Sequence, residues 1–261
     1  CLLTLTCPAQ AADAPEHGFS ASATLVSDYL FKGMTQTWGR PTVQASLDYS
    51  HASGAYASLW ASGVSSKVYA GAHSEVDLTV GYQQAINDDW RYGVGVLSVF
   101  YPGGNYNKLA YATLPRQTYD FTEAFASISY QWLTLKYSHT LTDLLGFNQK
   151  TGYQGNSRGS RYLDLSIDVP FAEHYLLGVH AGRQHVTTRL AVPTAGGSTN
   201  PDFTDYRVSL SQHFAGGWTG SLALAWNGNT GFFNQTPSNH NLNDTRNVGK
   251  KRLVLSIGKT F

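Results

Sequence analysis

Twelve stretches of the chain alternate apolar and polar residues with a period of two, and the connections between them alternate as strictly between tight and long. The stretches fall at about 19–33, 41–51, 54–63, 74–86, 90–101, 119–130, 131–140, 160–170, 174–185, 202–214, 217–228 and 250–261. Every second connection is tight: His51–Gly54, Asn87–Asp89, the Tyr130–Trp132 junction, Pro170–Glu173 and Ala215–Gly217. The others, 34–40, 64–73, 102–118, 141–159, 186–201 and 229–249, are longer and polar. A soluble sandwich has no reason to gather all its long loops at one end. An up-and-down barrel in a bacterial outer membrane does, with short periplasmic turns and longer outer loops. The spacing predicts an all-β, antiparallel transmembrane barrel of about twelve strands over 19–261, with both termini periplasmic.

Periodicity alone does not say which face is wet, and composition helps to decide it. Charged residues make up 13% of the sequence and aromatics another 13%, where soluble domains carry ~25% charge. A formal net charge of +1 offers no field to attract nucleic acid. No run approaches the ~18 apolar residues of a spanning helix. A closed sheet is then the one way for this chain to cross a bilayer with every backbone group satisfied.

The two ends agree with export. Residues 1–11 read as the tail of a signal peptide, with the small-x-small pattern Ala9-Gln10-Ala11, and 12–18 as a short periplasmic lead-in. Both cysteines lie in 1–11, so the processed chain is expected to lack thiol chemistry, and Thr4–Thr6 is a poor setting for lipidation at Cys7. At the other end, Leu253, Leu255, Ile257 and Phe261 share one face, with Arg252, Ser256 and Thr260 on the other. Lys259 interrupts the apolar face where a long side chain snorkels to headgroups. A final strand ending on Phe261 is expected to be read by the barrel-assembly machinery. Trp218 and Trp226 sit at opposite ends of one apolar face, as interfacial girdles require. Stretches 54–63 and 90–101 stay ambiguous, since small or apolar residues occupy both faces.

The run Val26–Thr37 (VSDYLFKGMTQT) closely resembles the opening of the TorF family of porin-like outer-membrane proteins. Pro41–Gly54, Tyr56–Ser62, Glu75–Leu78, Lys136–His139 and Tyr162–Leu165 resemble it more weakly. The resemblance implies an outer-membrane barrel with a pore role, and brings no substrate, cofactor or catalytic signature.

If the faces are assigned correctly, the inward charges are Asp28, Lys32, Asp48, Glu75, Asp77, Glu123, Lys136, Asp164, Asp168, Asp205, Arg207 and Arg252, with His180 and His213 beside them. Carboxylates outnumber fixed cations eight to four in that set, which predicts a mild cation preference in a water-filled lumen for small hydrophilic solutes. The competing expectation is a barrel whose interior charges pair and fill it: Lys136 with Asp164 or Asp168, Asp205 with Arg207. Asp28 and Lys32 are expected on one face of the first strand, pairing with Asp48 or Arg252. The longest loops, 102–118, 141–159 and 229–249, are the expected constriction.

Other chemistries fare worse. Ser138 and His139 are direct neighbours on a strand and point to opposite faces, so they form no nucleophile–base pair; a lipid hydrolase would need another serine beside His139. His73, Glu75 and Asp77, or His240 and Asp244, lack a recognised metal-ligand spacing. Lys108, Lys150, Arg158 and Arg161 are expected to form a basic rim facing lipopolysaccharide phosphates.

Overall fold

The period-two stretches close on themselves. In the computed structural model, which describes residues 17–261, twelve strands pair antiparallel with their sequence neighbours, and the first pairs with the last. They are β1 (His17–Val26), β2 (Thr42–His51), β3 (Ala55–Gly63), β4 (Ser74–Ala85), β5 (Trp90–Phe100), β6 (Phe121–Tyr130), β7 (Leu133–Thr140), β8 (Arg161–Phe171), β9 (Tyr175–His185), β10 (Phe203–Phe214), β11 (Trp218–Asn227) and β12 (Arg252–Thr260). The expected leader, residues 1–11, lies outside the described residues, as does most of 12–18. At its visible end that segment is already strand from His17.

The outer face is apolar. Val43 and Leu47 are each 60% exposed while Ser46 between them is 8% exposed, a contrast that only an apolar surrounding medium accommodates. Leu78, Val80, Leu163, Leu165, Leu222, Leu224, Leu253 and Leu255 continue this belt around the barrel. Aromatic pairs border it: Trp90 against Tyr130 at the tight-turn end, Tyr206 stacked on Trp226 at the loop end. Lys259 places its ammonium over Trp218 and Phe261, at 5.6 and 4.9 Å, as a snorkelling side chain should. The chain is thus an outer-membrane barrel.

The first strand is shorter than its alternation suggests. It stops at Val26, and residues 27–41 turn inward as a loop. Asp28 and Lys32 therefore do not sit on β1. The alternation persists because Leu30–Phe31 and Met34–Thr35 form a small hairpin of their own. Lys32 and Gly33, both at positive φ (48° and 73°), make its two-residue turn, the geometry that matches strand twist. Gly33 is required twice over. A Cβ there would lie 2.4 Å from the Trp226 carbonyl group.

The ambiguous strands are also resolved. β3 turns Tyr56, Ser58, Trp60 and Ser62 inward, and β5 turns Arg91, Gly93, Gly95, Leu97 and Val99 inward. Trp60, Leu97 and Val99 are apolar because they pack against loop residues that descend into the barrel: Tyr29, Val64, Tyr69, Tyr101, Tyr119 and Leu144. The loops hold one another in turn. Asn239 N–H bonds Lys67 O, Ala110 N–H bonds Asn239 O, and Gln154 N–H bonds Arg189 O. The result is a canopy over one mouth.

Candidate functional site

Lys32 is carried by the loop between β1 and β2, yet its ammonium meets the far wall. Nζ donates to Gln184 Oε1 on β9 at 2.8 Å, lies 4.0 Å from Glu123 Oε1 on β6, and sits 4.0 Å from the ring centre of Tyr162 on β8. The hairpin Leu30–Thr35 therefore crosses the lumen. Its root is fixed by Asp28, whose Oδ1 accepts from Thr35 and Thr37 hydroxyls at 2.6 and 2.8 Å. Arg252 Nε stands 3.6 Å from the other oxygen. Of the two residues expected to pair with Asp28 and Lys32, Arg252 meets Asp28, whereas Asp48 is bonded to Ser46 and Ser58 and meets neither.

Beside the Lys32 contact lies a second polar cluster. His180 Nε2 is 2.9 Å from Asp205 Oδ1 and its Nδ1 is 3.3 Å from Asp164 Oδ2. Tyr162 donates to Asp205 Oδ2 at 2.9 Å and Ser166 to Asp164 Oδ1 at 2.8 Å. Asp205 thus pairs with His180 rather than with Arg207, because His180 lies on the adjoining strand only two residues from the Asp205↔Gly182 pair. Lys136 stands directly opposite Asp164, as expected, but its ammonium rests over the Phe125 ring at 4.2 Å.

Towards the tight turns the interior opens into a cavity of about 840 Å³. Leu30, Phe31, Lys32 and Gly33 roof it; Gln131, Trp132 and His213 lie at the turn end. Asp28, Glu123, Lys136, Asp164, Asp168, His180, Asp205 and Arg207 all reach its wall. Asp48 is held by hydroxyls, accepting from Ser46 at 2.7 Å and Ser58 at 2.5 Å. His213 is bonded to Thr219 at 3.0 Å. Glu75 and Asp77 stand apart from the cavity, nearly fully buried on β4, with Tyr29 donating to Glu75 Oε1 at 2.9 Å.

Above them Tyr69 and Tyr101 stack with ring centres 3.9 Å apart, and Tyr119 meets Tyr69 edge-on. Burial holds the Tyr69 and Tyr106 hydroxyls well above the usual tyrosine range and pushes Tyr119 up to about 12, so this packing stays neutral at ordinary pH. The constriction is expected in the longest loops, but the element that crosses the lumen belongs to the β1–β2 loop (27–41), which is shorter than all three of them. Length permits reach, whereas a preformed turn with an apolar root directs it. Sequence reading missed Tyr29, Trp60, Tyr162 and Gln184. Inward parity on their strands marks the last three, and the Lys32–Gly33 turn flanked by strand-forming residues marks the hairpin.

His139 faces lipid. Its ladder partners are Ala124 and Arg161, neither a nucleophile. Among the described residues no group of three or more ligating side chains gathers at metal distance. At the rim, Lys108 donates to Gly103 O and Arg158 to Leu141 O, so both heads are engaged in loop backbone.

Solved structures share this architecture. The KdgM porin superposes with a TM-score of 0.52 at 10% identity, over 93% of this chain and 99% of that one. The NanC porin gives 0.54 at 12%, over 93% and 99%. The COG4313 outer membrane channel from Pseudomonas putida F1 gives 0.52 at 12%, over 97% and 99%. At such identities the likeness is one of fold. No curated protein matches the sequence. Residues 9–261 match the family described as "Bacterial protein of unknown function (Gcw_chp)", and the chain belongs to it.

Proposed function

We propose that the protein is a channel for passive diffusion of small hydrophilic solutes, with the Leu30–Thr35 hairpin as its constriction and a mild preference for cations. The observation that carries this reading is the lumen-crossing contact of Lys32 with Gln184 and Glu123 above a polar cavity. A barrel kept only as a scaffold has no use for a polar-walled cavity of that size. The resemblance to TorF-family porins supports the same reading. One barrel of this shape, the KdgM porin, has been solved with disordered oligogalacturonate. The cavity wall of the present barrel carries five carboxylates (Asp28, Glu123, Asp164, Asp168, Asp205) against four fixed cations (Lys32, Arg91, Lys136, Arg207), a small acidic excess in line with a mild cation preference. Lipopolysaccharide at the outer rim, surrounding lipid, and the assembly machinery at the Phe261 strand complete the proposed partners.

A second reading draws on the same hairpin. With Tyr29, Phe31 and Trp60 packed under the loop aromatics, the barrel is a plugged scaffold or receptor. Single-channel current in a planar bilayer under a KCl gradient separates the two. Discrete steps with a cation-selective reversal potential support the channel, and an anion-selective potential sinks the role given to the carboxylates. Silence from the intact protein, with current from a variant lacking residues 30–35, establishes the plugged barrel.

A further inference from the structure

The outer wall of the barrel carries cations at its loop end that no carboxylate meets. Arg161 opens β8 directly opposite His185, which closes β9, and His139 of β7 flanks Arg161 on its other side. Arg183 stands two residues from His185, opposite Leu163. All four share the parity of Leu163 and Leu165, so they project from the lipid-facing wall. β7 and β9 contain no carboxylate, and the two of β8, Asp164 and Asp168, face the cavity. His185 is answered by Asp202, which lies 3.0 Å from its Nδ1 and also accepts from Val186 N–H at 2.7 Å. Arg183 Nη1 donates to the Thr204 hydroxyl at 3.0 Å. Among the described residues the Arg161 guanidinium has no hydrogen bond or ion pair, and neither arginine meets a carboxylate.

Position makes this arrangement costly without an anion. Tyr206, stacked on Trp226, pairs with Ala181, two residues below Arg183. At about 3.4 Å per residue, Arg183 stands roughly 7 Å beyond the aromatic girdle, at headgroup level. Like charges side by side on a sheet repel, and a cation against an apolar medium needs a partner. In the register Arg161 and Arg183 are diagonal neighbours, about 7–8 Å apart at the backbone, so two long side chains can converge on one group. Guanidinium forks fit phosphate oxygens in pairs. Below them Leu163, Leu165 and Leu135 are exposed, a surface for acyl chains attached to that phosphate.

We propose that Arg161 and Arg183 form a binding site on the lipid-facing wall for one phosphate group of a lipopolysaccharide molecule. The proposal rests on the lipopolysaccharide partner proposed above, and moves its contact from the loop rim, where Lys108 and Arg158 are engaged in backbone, to the wall of β8 and β9. Binding is read without current, so a barrel that proves plugged leaves the test unaffected.

Protein refolded from denaturant, and so free of native lipid, is titrated in an uncharged detergent with bisphosphorylated lipid A or with the same lipid stripped of its phosphates. A saturable rise in Tm with the phosphorylated lipid, and a much weaker one with the stripped lipid, is expected. Arg161→Gln with Arg183→Gln should weaken the apparent affinity for the phosphorylated lipid by roughly tenfold or more, while Lys108→Gln at the rim leaves it at the wild-type value. Heat-modified gel mobility checks that each variant forms the barrel. Should the double substitution prevent folding, either single substitution is expected to weaken binding at least several-fold. Equal binding of the two lipids would assign the contact to acyl chains and overturn the proposal. Equal affinity in wild type and a folded wall variant, a loss in Lys108→Gln as large as in the wall variant, or no saturable binding at all would each overturn it too.

Discussion

The two halves of the lumen are built from the same alternating strands and have opposite characters. Near the loops, Glu75, Asp77, Glu123, Asp164 and Asp205 are all buried: the first two lie apart from the cavity beside the aromatic stack, and the other three reach its wall where the hairpin roofs it. Near the turns, Arg91, Asp168, Arg207 and His213 border open cavity. Strand sequence does not make this difference, because inward polar residues run along both halves of β8 (Asp164, Ser166, Asp168) and β10 (Asp205, Arg207, Ser209, Ser211, His213). Loop sequence makes it. The β1–β2 loop (27–41), together with Val64, Tyr69, Tyr101, Tyr119 and Leu144 of the other loops, makes one half of the lumen a packed interior.

The sharpest way to break the contrast is to remove the hairpin. Replacing 30–35 by two glycines frees Gln184 and Glu123 and should join the cavity to the outer mouth. Single-channel conductance is expected to rise several-fold. Unchanged conductance would mean that the path avoids the hairpin, and the two halves would no longer differ in function.

Next in size is the His180 cluster. Asp205→Ala strips His180 Nε2 and the Tyr162 hydroxyl of a shared acceptor. Breaking a buried charge pair from one side costs roughly 3–5 kcal/mol. Denaturant unfolding from detergent or bilayer should show it, and a polar group at the open end, in His213→Ala, should cost far less. Comparable losses at the two sites would erase the distinction between the packed and the open half.

A subtler change acts through the turn. Gly33→Ala meets the Trp226 carbonyl and must hold a positive φ. The left-handed backbone alone costs a non-glycine residue roughly 1–2 kcal/mol, and the clash adds a shift of the hairpin. Conductance should rise and Lys32 should lose Gln184, while the β1–β12 seam stays intact by heat-modified gel mobility. A wild-type conductance would show that the hairpin tolerates displacement without opening a path.

The two regions also differ in how far the sequence reveals them. The strands were legible because a period of two is imposed by the pleat, and lipid on one side keeps Leu163, Leu165, Leu222 and Leu224 in phase. The alternation failed where the lumen is not wet: Trp60, Leu97 and Val99 face inward yet are apolar, since the loops supply them with a dry surface. It failed again past Val26, where a second short hairpin continues the same pattern in another direction. Interior charges were legible by parity, but their pairings were not. Asp205 chooses His180 over Arg207 through cross-strand register, and Lys32 finds its partners across the full width of the barrel. Neither distance is written locally.

The smallest expected effect concerns the canopy that separates the packed half from solvent. Lys67 Nζ lies 2.7 Å from Asp244 Oδ2, tying loop 64–73 to the ribbon Thr236–Ser238 and Asn241–Arg246 next to the Asn239 N–H to Lys67 O bond. The hydrogen bond from Lys67, followed by its charge, holds the Asp244 carboxyl below the usual carboxylate range. A depressed folded-state pKa stabilises the fold at pH values above the unfolded value, about 3.9. That contribution disappears as pH falls through the folded value. Both partners are partly exposed, so salt screens the pair and its effect is local. Amide exchange over 236–246 is therefore expected to be faster in Lys67→Met than in wild type at pH 6, and the difference should shrink as pH falls through the depressed folded value and Asp244 protonates in wild type too. A difference that did not shrink with falling pH would assign the ordering of the ribbon to backbone bonds and to Arg246, whose Nη1 donates to Trp38 O at 2.6 Å, and the canopy would then be held over the hairpin without help from the Lys67–Asp244 pair.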